Sequence, residues 1–137
     1  IKDLGKHPND FDLNKFWDYE SKISITDINK VKDETGSTFP FLISKMDYLK
    51  LGGLDESYPS PSGFVADWEF FMKCQLSGLK MIRLYSSHFY HFVSLTAKTP
   101  SEVEKSKQYE HNCHEYAKYK WGTYIQHDIE TNLKYIK

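Results

Sequence analysis

The sequence predicts an α/β fold, a short mixed sheet packed with helices, and three observations carry that expectation. Phe41-Leu42-Ile43 is a short apolar run of the kind that forms a buried strand. Trp68, Phe71, Met72 and Leu76 recur at helical spacing and give one stretch an apolar face. Lys80 to Tyr85 alternates, as a half-buried strand does. Between these pieces the chain is punctuated by Gly52-Gly53 and Gly78. The resulting order is strand, short helix, glycine stop, acidic loop, helix, glycine stop, strand.

Each element has a local reason. Residues 1–10 are polar, contain Gly5 and Pro8, and read as an irregular lead-in. Asp10-Phe11-Asp12 has the letters of a metal-binding Asp-x-Asp, but no apolar strand precedes it. Asp12 instead stands just before Leu13, Phe16 and Trp17, where an acid caps a helix. Lys22 to Thr26 alternates and predicts a strand, whereas 29–37 is charged, ends near Gly36 and predicts a loop. Ser44 with Asp47 forms a capping-box-like start for a one- to two-turn helix whose Met46, Tyr48 and Leu49 are expected to face inward. Gly52 or Gly53 ends it in the left-handed conformation. Asp55-Glu56 then opens a loop holding Pro59 and Pro61. Ser62 is placed to cap a helix over 65–77, which Gly78 stops. The aromatic run from His88 to Val93 is expected to be extended. Pro100 and Ser101, with Glu104, start a long helix over 100–122 that ends at Gly122, its apolar line being Tyr109, Cys113, Tyr116/Ala117 and Trp121. One or two further helical turns are expected around 129–136.

Composition narrows the classes. At 137 residues the chain holds one modest core and is read as a single domain, 1–137. A formal net charge of −1 gives no electrostatic case for a nucleic-acid partner. No apolar run approaches the roughly 18–20 residues that span a bilayer, and no signal-peptide-like start is present. The expected location is therefore cytoplasmic. Cys74 and Cys113 both fall on inward helical positions and read as buried free thiols.

The ordered set of motifs in 38–122 resembles the acceptor-side, C-terminal half of family-2 glycosyltransferases with the GT-A (nucleotide-diphospho-sugar transferase-like) fold. That family's pattern is an apolar strand, a helix, Gly-Gly-Phe-Asp-Glu, a variable loop, an acidic pair opening a helix, Gly-Leu/Tyr-Lys, a strand and a late His. Here Gly52-Gly53-Leu54-Asp55-Glu56 carries Leu for Phe, and Ala66-Asp67 keeps only the second acid of the pair. Gly78-Leu79-Lys80 and the closing Lys120-Trp121-Gly122 also match. Residues 38–93 are the core of the likeness. The chain begins at Ile1 and lacks a strand-borne Asp-x-Asp, so with the resemblance it reads as a fragment or processed chain of a larger transferase. By itself such a fragment is expected to be nearly inactive.

Read as residues alone, Asp67 is either an N-terminal helix acid or a general base held ionised by the helix dipole. The resemblance implies the base, abstracting the acceptor proton in an inverting transfer of hexosyltransferase type. Asp55 and Glu56 are either turn acids or acceptors of sugar-hydroxyl hydrogen bonds. Trp68 and Glu69 join them as expected acceptor contacts, with Tyr58 and Tyr90 as further rings able to stack on sugars, although most rings must fill the core. His91 is either packed among aromatics or, by resemblance, a ligand to Mn2+ or Mg2+ that stabilises the diphosphate leaving group; His88 competes for that role. On the last helix His111 and Glu115 stand at the i,i+4 spacing of a shared metal, but the pattern is not His-Glu-x-x-His and no further ligand is evident, so a solvated helix face explains them better.

The implied partners are a nucleotide-diphospho-sugar donor and a glycan or other hydroxyl acceptor. A second copy of the chain is expected to cover the open sheet edge, as a homodimer. A different class of function, a non-catalytic glycan- or protein-binding module of the same shape, fits Ala66 and the missing Asp-x-Asp. A small metal-binding or assembly domain built on the histidine-bearing helix is a third reading.

Overall fold

The structure, a computed structural model, describes residues 4–27, 30–34, 40–60, 63–92, 100–127 and 133–136. A short 3-10 turn, Pro8–Asp10, leads into helix α1, Leu13–Asp27. Asp12 caps α1 as its position requires: its carboxylate accepts the Lys15 backbone N–H at 2.9 Å. The helix runs straight through Lys22–Thr26, where alternation predicts a strand. Extending an existing helix gains one hydrogen bond per residue fixed, which a five-residue alternation does not outweigh. The Lys22–Asp18 pair at 2.7 Å, at i,i+4, adds to the helix.

Strand β1, Val31–Glu34, pairs antiparallel with β2, Met81–Leu84, so that Val31 faces Leu84 and Glu34 faces Met81. β2 forms where the alternation places it. β1 lies in the charged stretch expected to be a loop, and its ladder partner comes from a distant part of the chain. No local signal marks such a strand.

Phe41-Leu42-Ile43 forms no strand. Its Phe41 stacks on Phe70 at 5.4 Å and meets Phe71 edge-on at 5.3 Å. Ile43 also packs on the core, while Leu42 is fully exposed. The apolar side chains are covered by a helix rather than by membership of a sheet. Helix α2, Lys45–Lys50, follows with Ser44 as N-cap, its Oγ accepting from Asp47 N at 3.0 Å. Gly52 and Gly53 end it at φ 76° and 63°. Met46 and Leu49, expected inward, are 64% and 59% exposed. A six-residue helix presents only one face to a core, and Tyr48 takes that face, 5.2 Å from Phe70, its hydroxyl accepting from Leu54 N at 3.1 Å.

Helix α3, Ala66–Leu76, is the centre of the core. Ala66, Glu69, Phe70, Phe71, Met72 and Cys74 are buried on it, whereas Leu76, expected inward, is exposed. Four consecutive buried residues, 69–72, span the whole circumference, so this is a helix wrapped by neighbours and not one with a single apolar face. Its N-cap is Val65 at φ 68°; Ser62 lies outside the described residues. Gly78, at φ 78°, follows its C-terminus.

Helix α4, Pro100–Trp121, starts and stops where expected and buries Cys113 and Ala117. The tail then forms β3, Tyr124–His127, paired antiparallel with β4, Leu133–Ile136; of the helical turns expected around 129–136, residues 133–136 are strand and 129–132 lie outside the described residues. β3 lies against α3 and α4, and its Ile125 is fully buried. Burial of Ile125 is a tertiary event that helical spacing in a polar tail does not reveal.

The architecture is thus mixed helix and strand. Among the described residues the strands form two separate antiparallel pairs, not the mixed sheet expected. Cys74 and Cys113 are free and buried, and burial pushes both thiols up. No helix among the described residues is long and apolar enough to cross a membrane.

Candidate functional site

Three segments distant in the sequence meet at Lys120, in the last turn of α4. Its ammonium donates to Asp55 Oδ2 at 2.7 Å and to Glu69 Oε1 at 2.7 Å. The first partner lies 65 residues away and the second 51. Asp55 is further held by Ser57 N at 2.8 Å, which donates to Oδ1, and by the Tyr116 hydroxyl, which donates to Oδ2 at 3.3 Å. Burial works against ionisation of Asp55, but hydrogen bonds from Lys120 and Ser57 and the lysine charge outweigh it, holding the carboxyl down at about 2. Burial likewise disfavours the charged Lys120, yet its bonds to the two carboxylates raise it above the ordinary lysine range.

Glu69 is 0% exposed, and such a carboxylate persists in a core only when paired. Lys120 supplies the main partner and Lys73 a second at 3.7 Å. Lys73 also donates to Gly53 O at 2.7 Å, which ties the glycine pair to α3. Tyr58 packs edge-on against Tyr116 at 4.9 Å. Tyr58 Oη and Glu69 Oε2 are both buried, and neither makes a hydrogen bond of ordinary geometry. Burial first, and then the nearby Glu69 carboxylate, push the phenol well above its usual range, so it stays protonated.

Asp67 occupies the first turn of α3 and is half-buried. Its Oδ1 accepts from Trp68 N at 2.9 Å. The preceding Val65 is the one non-glycine residue with positive φ among those described. A β-branched residue there is strained, and such strain is kept where surrounding structure enforces it. Trp68 is half-buried with its ring 5.7 Å from that of His114 on α4. Glu56 is exposed at the start of the loop.

Of the residues expected to touch an acceptor, Asp55 and Glu69 are therefore drawn into the lysine cluster, while Glu56, Asp67 and Trp68 keep exposed surface. His91 is exposed on the aromatic segment that packs on the N-terminal part of the chain. In that segment Tyr90 donates to Gly5 O at 2.6 Å and accepts from Leu4 N at 3.1 Å, while Phe11 meets Tyr90 at 5.1 Å and Phe92 at 5.6 Å. His88 Nδ1 sits 2.6 Å from Glu20 Oε1. On α4, Glu115 accepts from the Tyr124 hydroxyl at 2.7 Å, which ties the helix to β3. Among the described residues no three of His, Cys, Asp and Glu converge on a point that can hold a cation. They do not fit Mn2+ or Mg2+ by themselves.

Sequence reasoning marks Lys120 only as part of a Lys-Trp-Gly and misses its role as the common partner of two acids. The signal was present in Glu69, an acid flanked by Trp68, Phe70 and Phe71 on a core helix, which demands a cation. No family model, curated protein or solved structure matches the chain.

Proposed function

We propose that the chain is the acceptor-side part of an inverting glycosyltransferase, with Asp67 as general base. The observation that carries this reading is the convergence at Lys120. The Leu54-Asp55-Glu56, Asp67-Trp68-Glu69 and Lys120-Trp121-Gly122 segments, which give the sequence its likeness to family-2 GT-A enzymes, are neighbours in space through two ion pairs of 2.7 Å. The strained Val65, which caps α3 two residues before Asp67, supports a functional role for that helix start.

In this reading the acceptor hydroxyl gives its proton to the Asp67 carboxylate. Its oxygen forms a bond to the anomeric carbon of the donor sugar. The bond from that carbon to the diphosphate breaks on the opposite face, and the nucleoside diphosphate leaves with the electron pair. Trp68 offers an apolar ring face to the acceptor and Glu56 an exposed hydrogen-bond acceptor. A divalent cation would stabilise the diphosphate, but the described residues do not make its cage, and no step is routed through it. The reading places the protein in the cytoplasm, where nucleotide-sugars are the donors, and allows a second copy over its open surface.

The test is sugar transfer by the natural full-length chain, supplied with nucleotide-diphospho-sugars, Mn2+ and glycan acceptors. Asp67→Asn is expected to lower kcat by about 10²–10⁴-fold, the usual worth of a positioned base, with donor KM unchanged. Unchanged turnover removes Asp67 from the mechanism. A second reading, a glycan-binding module without chemistry, is favoured by one feature: Ala66, where the family pattern has its first acid, is buried. Glycan binding by the wild type with no turnover for any donor selects it.

A further inference from the structure

Asp55 begins the loop that leads to α3, and Lys120 joins that beginning to the helix. One ammonium bridges Asp55, at the start of the loop, and Glu69, in the first turn of the helix that bears Asp67. Three residues into the loop Tyr58 is buried against Tyr116. Further on, Ser60 O accepts from Gly63 N at 3.1 Å and Gly63 O from Ala66 N at 3.1 Å, and the loop ends at the strained Val65. Its described residues, 56–60 and 63–64, are held between an ion pair at one end and a left-handed residue at the other. The ion pair is shielded rather than fully wet: the Asp55 side chain is 15% exposed and that of Lys120 33%. A lysine has three donors, enough for both acids at once.

We propose that Lys120 is a positioning residue. Its bridge between Asp55 and Glu69 holds the loop against the start of α3, and so sets the surface on which an acceptor hydroxyl is presented to Asp67. The catalytic consequence rests on the glycosyl-transfer reading; the dependence of the loop on Lys120 does not.

Lys120→Met alone is an ambiguous probe, because it leaves Glu69 buried with only Lys73 at 3.7 Å. Asp55→Asn is the sharper one. It removes the loop's charge, leaves the Lys120–Glu69 pair intact, and keeps an Oδ1 acceptor for Ser57 N. Hydrogen exchange followed by mass spectrometry on the natural full-length chain reads the loop directly. Peptides covering 56–65 are expected to exchange about tenfold faster in Asp55→Asn, with α1 and the β1–β2 pair at wild-type rates. Lys120→Arg, which keeps a cation for both acids, is expected to restore most of the protection lost in Lys120→Met. In transfer assays Asp55→Asn raises acceptor KM several-fold while donor KM holds.

Wild-type exchange of the loop in Asp55→Asn overturns the proposal, as does a uniform rise across all peptides, which makes Lys120 a plain core counter-ion. A higher acceptor KM with an unloosened loop also overturns it, in favour of direct acceptor contact by Asp55. A loosened loop in a protein that transfers no sugar upholds the bridge and defeats the glycosyl-transfer reading alone.

Discussion

Glu69 and Gly53 show how much of this molecule turns on single positions. Glu69 is a carboxylate in the middle of an aromatic core, tolerable because Lys120 and Lys73 reach it. Gly53 is constrained twice. Its φ is +63°, and a Cβ there would lie 2.9 Å from the Tyr48 ring. Gly52, at φ +76°, has open space around the corresponding position. Gly52→Ala is therefore expected to cost only the left-handed penalty, about 1–2 kcal/mol. Gly53→Ala adds the displacement of Tyr48, which also holds Leu54 N, and is expected to cost about 1 kcal/mol more. Equal urea midpoints for the two variants would show that Tyr48 yields freely.

At the scale of elements, α3 is a core helix whose last residue stands clear of the core. Phe70 is fully buried and touches Phe41, Tyr48 and Phe71, whereas Leu76 of the same helix is exposed. Phe70→Ala is expected to destabilise by roughly 3–5 kcal/mol, through lost burial and an unfilled cavity. Leu76→Ala is expected to stay within about 0.5 kcal/mol, as surface changes do. Denaturant melts of the two variants decide this; a large loss at Leu76 would mean that its side is covered in solution. The strands are of another kind. Each belongs to a pair of two, and a two-stranded pair has little stability of its own. Met81 of β2 packs on the core, and β3 lies against α3 and α4.

For the molecule as a whole, Lys120 is where the loop, α3 and α4 are joined, and the joint depends on charge. The Asp55 carboxyl ionises at about 2 in the folded chain against 3.8 for an unperturbed aspartate. A lowered folded-state value means that its contribution is fully present above the unfolded value. It is lost as pH falls through about 4 and down to about 2. After allowance for solvent screening the loss is about 1 kcal/mol. The stability gap between wild type and Asp55→Asn should therefore be constant from pH 7 to 5 and close toward pH 2. A gap that does not change down to pH 2 removes the ion pair as its source. Much of this organisation was legible beforehand. Ser44 with Asp47, Asp12 before Leu13, Pro100, and the glycines at 52, 53, 78 and 122 act over three or four residues, so local spacing alone located both ends of α4, the start of α2 and the stop of α3. The assignment of Asp67 to a helix start was read in the same way. Pairing and facing were not legible, because they depend on what arrives from elsewhere in the chain. Val31–Glu34 became a strand only because Met81–Leu84 lies beside it, and Lys22–Thr26 stayed helical because α1 was already running. Met46 and Leu49 turned outward because Tyr48 filled the space against Phe70. By itself, then, the sequence determined where α1 begins, where α2 begins and ends, where α3 stops and where α4 begins and ends, since caps and glycines act on their own neighbours. The tertiary structure alone decided which strands pair, which faces are buried and that two acids share one lysine. Each of those needs groups tens of residues apart to meet, and no local pattern encodes that meeting.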